Sequence, residues 1–492
     1  ILGRSWPELR SQARQETIAS ARSYLSSHGE PLPDCPHQGI LFAGHQPELF
    51  HPGVWLKNFA LARLSRQHGL IPVNLVVDSD TAKSTAIALP QISENSGDLP
   101  RLTQIPFDQA AGETPFEELA VRDETLFANF PDRVGEVTQR WPFQPLLNDY
   151  WKAVLSAPLP SAMLGERFVG ARRELERRWG CHNLEIPVSA LCGMESFAWF
   201  SAHLLSELPR LHAVYNTCVH EYRKSKKIRS RNHPVPDLAR DGEWLEAPLW
   251  AWSQGLTRRQ RLFARQRGQM IELRAGTTVW PSVPAPENGE GERTVKALEE
   301  LKGTGHKIRS RALTNTMFAR IFAGDLFIHG IGGGKYDELT DAIIRRFYGF
   351  EAPAYLVLSG TLHLPLPARK IAVADLRRHA RQVRDLYWNP QRRHAQNDGQ
   401  FREWTAQKQN WIDRTPPTPA GRRVRFKEIR RITELMRPFV SGELALQEQI
   451  LGREANELAA KAVIHRRDFS FCLFPEAKLR TFFDRLAIFG VV

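Results

Sequence analysis

"ILFAGHQPELFHPGVWLKNFALARLSRQHGLIPVNLVVDSD", residues 40–80, decides the fold class. The run from Gly39 to Ala43 has the length and composition of a strand. From Pro52 to His68, Trp55, Leu56, Phe59, Ala62 and Leu64 recur close to a 3.6-residue period, which predicts a helix. "PVNLVVDSD", 72–80, is a continuous apolar strand ending in Asp78 and Asp80. Strand, helix and strand in so short a span predict a βαβ unit with a right-handed crossover. The AGHQ loop (43–46) and the two aspartates then leave the carboxyl ends of neighbouring parallel strands, where open α/β sheets hold ligands.

The same grammar returns downstream. Residues 326–329 read as a strand, 330–334 as a glycine loop, Tyr336 to Tyr348 as a helix and 354–358 as another strand. A weaker unit has a strand at 186–191, a CGME turn and a helix to Leu208. Three such units predict an α/β fold with a parallel sheet core. Ser5-Trp6-Pro7-Glu8 is a capping-box pattern and predicts a helix from Trp6 to Ser27. Short alternating runs over 243–276 predict an antiparallel β insertion, and "SVPAPENGEGERT" (282–294) an exposed linker. Beyond Lys370 the chain is rich in Arg, Gln and Glu, and helices near 398–413, 423–437 and 442–463 predict a helical hairpin or coiled coil.

The 492 residues carry a net charge of +13, concentrated in 221–231, 258–267 and 422–431, which would attract polyanions. No nucleic-acid reader motif accompanies these runs, so solvated basic faces are the favoured reading and nucleic-acid binding the minority one. No apolar stretch approaches the roughly 18 residues of a membrane span. Five cysteines without a CxxC pair predict reduced thiols and a cytoplasmic setting, and no signal peptide is visible.

Gly330-Ile331-Gly332-Gly333-Gly334-Lys335 invites comparison with a phosphate loop, in which glycines bring backbone N–H groups to an anion. It is not a Walker A motif, which would need Gly at His329 and Ser or Thr at Tyr336, and a dinucleotide fingerprint fails at Lys335. Close packing of helix on sheet explains the glycines equally well. Asp78 and Asp80 would share one side of an extended strand and could hold a metal, a ribose or an amine. His45 or Gln46 suits substrate contact, while His45 and His51 fit no zinc spacing, so no metal is expected. Cys192 near Glu195 is a candidate nucleophile, with a buried inert thiol the favoured alternative.

These residues carry a resemblance. "GHQPELFHPGVWLKNFALARL" is similar to the first motif of the cysteine-adding enzymes of bacillithiol biosynthesis in bacteria, with Gly44, Gln46, Leu49, Phe50 and Lys57 matching. Asp78 and Asp80 stand where that family has an acidic cluster. "LTNTMFARIFAGDLFIHGIGGGKYDELTDAIIRRFYGFEAPAYLV" resembles its later block through Arg320, Gly332, Gly333 and Tyr336. The chain departs from the family in three places: AGHQ for TGQQ, Ser79 for a His between the acidic residues, and Gly334-Lys335-Tyr336 for Pro-Gly-Glu.

The resemblance implies a Rossmann-like core, an insertion and an α-helical coiled coil. In that frame the chain divides into 1–35 (N-terminal helix), 36–240 and 296–370 (core), 241–295 (insertion and linker), 371–468 (helices) and 469–492 (return segment). The implied activity is a ligase's: cysteine joined to the amine of glucosaminyl-malate, with a nucleotide, ATP or ADP, in a second site. His45 and Gln46 would orient or protonate the acyl group and Asp78 or Asp80 would bind the amine or act as base. Arg320 with Gly332, Gly333, Gly334 and Lys335 would hold a carboxylate or phosphate. Two rivals are a nucleotide-using transferase, suggested by "KIRSR" (307–311), and a non-catalytic nucleic-acid-binding protein. The C-terminal helices leave open pairing within one chain or between two as a homodimer.

Overall fold

The computed structural model describes residues 1–34, 39–92, 99–110, 112–156, 163–228, 235–367, 372–393 and 399–485. Cys35, the end of the basic run at 229–231, the boundary at 370–371 and the last seven residues lie outside the described residues.

The quoted stretch folds as expected in kind. Strand β1 (Ile40–His45) leads through the helix Pro52–His68 to strand β2 (Ile71–Val76), and the two strands pair in parallel. Alternation assigns their side chains. Ile40 and Phe42, with Ile71, Val73 and Leu75, enter the core on one face of the sheet. Leu41 and Ala43 pack on the other face with Leu61 of the helix and Ile328. The helix ends where Gly69 adopts φ 65°, which glycine allows without a Cβ clash. β2 ends at Val76, two residues short of Asp78, so the aspartates occupy a turn. That corrects the expectation of carboxylates on one side of an extended strand, and it lets them face different partners.

The remaining strands follow in chain order. β3 (Ala86–Gln91) and β4 (Arg101–Pro106) form a small antiparallel pair that the sequence reading missed. β5 (Leu184–Pro187) is shorter than expected, because the chain turns into a helical segment at Val188–Leu191. β6 (Arg240–Asp241), β7 (Trp244–Ser253), β8 (Gln260–Arg267), β9 (Met270–Ala275) and β10 (Thr278–Pro284) build the antiparallel insertion. β11 (His306–Ser310) joins that sheet beside β7, so Lys307 to Ser310 of KIRSR are strand. β12 (Leu326–His329) and β13 (Tyr355–Val357) return to the parallel sheet, whose spatial order is β13-β12-β1-β2-β5. The chain therefore starts in the middle, fills one side, and then crosses to the other.

The helix after β12 runs Ile331–Tyr348, so Gly332, Gly333 and Gly334 form its first turn and not a loop. A Cβ on Gly333 would lie 2.8 Å from His329 Nδ1, and one on Gly334 2.5 Å from Val357 Cγ2. Close approach of the helix to β12 and β13 explains these two glycines; Gly332 faces open space. At the C-terminal end, the helix Val373–Trp388 packs on Ser441–Ile464, and Gly399–Asp413 on Pro419–Met436. The return segment packs Phe471, Leu479 and Phe483 into the core that contains Trp55. Among the described residues, no helix is long and apolar enough to cross a membrane.

Gly53, at the start of the first crossover helix, touches the chain after β13: an added Cβ would lie 2.2 Å from the Gly360 carbonyl oxygen. Gly53→Ala should cost about 1–3 kcal/mol through forced backbone movement. Gly332→Ala, in open space within a helical turn, should be neutral or gain up to about 1 kcal/mol. Urea unfolding of the two variants beside the wild type measures both.

Candidate active site

The carboxyl ends of β1, β2 and β5 face the antiparallel sheet, and the polar residues between them define the candidate site. On β1, Lys57 of the crossover helix donates to the Gly44 carbonyl at 2.6 Å. Its ammonium is buried, and burial lowers its pKa to about 8. His45 sits edge-on to Phe50 at 4.2 Å, with Nδ1 3.0 Å from the Gln46 carbonyl and Nε2 3.3 Å from Asn58 Oδ1. Burial, Lys57 and Arg172 together hold its imidazole well below the ordinary pKa, so it is neutral at pH 7. His51 has a different task. Its Nδ1 accepts from Gly53 N at 3.1 Å and caps the helix Pro52–His68.

A buried polar chain backs His45. Asn58 Nδ2 donates to Glu176 Oε1 at 2.7 Å, which leaves the Asn58 carbonyl facing the imidazole. Trp55 Nε1 also donates to Glu176, at 2.6 Å. Arg172 bridges Glu176 (2.7 Å) and Glu185 (2.6 Å), and Asn74 Nδ2 donates to Glu185 at 2.6 Å. The sequence reading found none of Asn58, Arg172, Glu176 or Glu185, because charged residues within a helix or strand read as solvated ones.

The two aspartates divide the work. Asp80 accepts from Gln46 Nε2 at 2.8 Å, Arg259 at 2.7 Å and its neighbour Thr81 N at 3.0 Å. Arg259 comes from the antiparallel insertion, where its guanidinium lies 4.4 Å from the Trp250 ring centroid. Asp78 accepts from Ser189 N at 2.9 Å and from the Ser189 hydroxyl. Burial, then the neighbouring Glu117 charge, pushes the Asp78 carboxyl up to about 7 against the pull of Ser189 and Arg309. Glu117 is itself gripped by Arg309 through two 2.9 Å bonds, and Glu118 by Lys307 and by Trp252 Nε1 at 3.0 Å. Trp250 and Trp252 alternate on β7 opposite Arg309 and Lys307 on β11. That period-two pattern was the available sequence signal for this wall of the site.

Gly44, His45, Gln46, Lys57, Asp78 and Asp80 thus come together. Gly332, Gly333, Gly334, Lys335 and Tyr336 lie one strand over, at the start of the helix after β12, with Lys335 exposed. Arg320 does something else: its buried guanidinium donates to Asp337 at 2.9 Å, Asp341 at 2.6 Å and the Pro353 carbonyl at 3.1 Å. Those donors tie helix to strand and leave Arg320 no free fork for a carboxylate or phosphate. Cys192 contacts Ser310, and burial pushes its thiol up to about 11, away from the thiolate a nucleophile needs. Among the described residues, no group of three or more His, Cys, Asp or Glu could hold a metal ion.

A carboxyl whose pKa is higher folded than unfolded stabilises the fold when protonated and loses that contribution as pH rises through the folded value. For Asp78 the window runs from its ordinary 3.8 to about 7. Asp78→Asn keeps the shape without the charge and should be more stable than the wild type at pH 8 by about 2–4 kcal/mol, with the gap closing toward pH 4. Thermal melts across that pH range read the difference directly. No family model matches the chain and no curated protein matches it, so the arrangement of these residues carries the functional argument.

Proposed function

We propose that the chain is an enzyme that forms a carbon–nitrogen bond between an amine and a small amino or carboxylic acid. In this reading it is a divergent relative of the cysteine-adding enzymes of bacillithiol synthesis, acting in the cytoplasm. The observation that carries the proposal is Asp78: a buried carboxyl, pushed to about 7, at the carboxyl edge of a parallel sheet. A primary ammonium must lose a proton before its nitrogen can attack, and a base with a pKa near the working pH does that best. Strand order supports a Rossmann-like core. Numbered by appearance, the parallel strands stand 5-4-1-2-3, the first five strands of the doubly wound order 3-2-1-4-5-6 read from its other edge.

In the proposed reaction Asp78 accepts the proton of the substrate ammonium. Asp80, with Gln46 and Arg259, orients the amine. Neutral His45, whose ring nitrogens face the Gln46 carbonyl and Asn58 Oδ1, positions the loop that carries Gln46. Amide formation from a free acid requires a carboxyl oxygen to leave, so the acid must be activated, and ATP is the proposed source. The paired C-terminal helices are proposed to form the coiled coil and to join two copies in a homodimer. Exposed Arg422, Arg423 and Lys427 beside exposed Phe426 favour a second reading, a nucleic-acid-binding face on the helix Pro419–Met436.

The test incubates the protein with ATP, cysteine and glucosaminyl-malate, and then with other amine and amino-acid pairs, and looks for the amide by mass spectrometry. The expected result is a product whose rate rises with pH through about 7. Asp78→Asn should lower kcat by about 100-fold or more. Unchanged turnover in that variant, or no product from any pair, rejects the reading. Salt-sensitive oligonucleotide binding alone would favour the second one.

A further inference from the structure

A buried cation with donors to spare sits where β1 meets β12. The Lys57 ammonium accounts for one of its three N–H groups at the Gly44 carbonyl, and it has no other acceptor among the described residues. The residue is 6% exposed, so water does little to answer the remaining two donors or the charge. No carboxylate pairs with it among the described residues; burial alone depresses its proton affinity.

The strand geometry says where this ammonium points. The His45 carbonyl accepts from Val77 N at 3.0 Å, so it faces β2. Carbonyls alternate along a strand, so that of Gly44 faces the opposite way, toward β12. Ala43 pairs with Ile328, and Gly44 and His45 follow on β1 as His329 and Gly330 follow on β12. There the helix Ile331–Tyr348 begins without a side-chain cap and without an acidic residue in its first turn. Gly334 N to Gly330 O, at 2.9 Å, is the first rung of the helix, so the N–H groups of Ile331, Gly332 and Gly333 precede the ladder. A Cβ added at Gly330 or Gly332 would meet nothing within 4 Å, so there is room beside them. The parallel sheet also reverses direction at this seam, the position where open α/β sheets take ligands.

We propose that Lys57 and the first turn of the helix Ile331–Tyr348 form an anion subsite that takes a carboxylate or phosphate group. Charge and position agree on the class: an ammonium with two open donors is held at the end of β1, and the positive end of an 18-residue helix begins after the neighbouring β12. Asp337 does not oppose it, because Arg320, His329 and Thr316 already surround that carboxylate. The subsite deepens the ligase reading by naming what part of a substrate this end of the site binds. Its test reads binding and not turnover, so the two readings can fail separately.

The experiment is a thermal-shift titration at pH 7 with inorganic phosphate, pyrophosphate and malate, each against sodium chloride at matched ionic strength. The wild type should be stabilised by phosphates, by malate or by both, and the pattern assigns the subsite to phosphate or to carboxylate. Lys57→Met removes an unpaired buried charge and should fold, with at least a 10-fold loss of anion affinity. Val279→Ala, at an exposed position on β10 outside the site, should keep the full response. Gly332→Asp places a carboxylate in the open space beside the helix start; it should raise the melting temperature without added anion and abolish the response. The last variant decides the matter if Lys57→Met does not fold. An undiminished response in Lys57→Met or in Gly332→Asp, or no wild-type response beyond the salt control, overturns the proposal.

Discussion

Arg172 holds the interior together. Its guanidinium lies between Glu176 and Glu185, all three buried, and joins a helix (Leu164–Arg178) to β5. Through Glu176 the same unit reaches Trp55 and Asn58 on the first crossover helix, and through Glu185 it reaches Asn74 on β2. A buried ion pair is a poor source of net stability, since desolvating the charges offsets most of their attraction. Its value lies in position. Removing one partner strands the others, at a cost of about 3–5 kcal/mol. That penalty fixes the relative placement of β2, β5 and both helices, and so the orientation of His45.

The βαβ unit at 40–80 was legible in the sequence because two independent signals agreed: apolar runs of strand length, and a 3.6 period between them. The candidate site was legible only in part. Gly44, His45, Gln46, Asp78 and Asp80 follow from their place at strand ends, and the structure gathers them there. What the sequence could not show is which charges are internal. Arg172 and Glu185 look like any other charged residues until tertiary packing encloses them. Arg320 misled for the same reason: an arginine before a glycine-rich segment reads as an anion grip, whereas two aspartates in the following helix take its donors. The glycines misled through their two uses, backbone approach to a ligand and helix approach to a strand, which produce one sequence pattern.

The antiparallel sheet supplies the site's second wall. It shares one apolar core with the parallel sheet, and ion pairs join it to the site: Arg259 with Asp80, Arg309 with Glu117, Lys307 with Glu118. Asp80 sits in the turn after β2 and the two glutamates in the turn after β4, with the cations on β11 and on the chain between β7 and β8. The two sheets are therefore registered to each other by charge at the place where Asp78 is buried. Burial first, and then the like charge of Glu117, moves its carboxyl toward neutrality, while the unlike charge of Arg309 opposes the shift.

The first loop is also fastened to the far end of the chain. Phe471 N donates to the Phe50 carbonyl at 2.8 Å. Gly360, against the start of the crossover helix, is hemmed in by Phe482 and Leu56. On a ribosome adding about 5–20 residues per second, the 421 additions that lead from Phe50 to Phe471 amount to roughly 20–80 s of synthesis. During that interval β1 has emerged but β12, its neighbour on one side, has not for much of the time. The nascent chain carries a half-built sheet with an open edge, the kind of surface that chaperones cover. A loop near the beginning of the sequence is thus among the last parts of the molecule to take its final form.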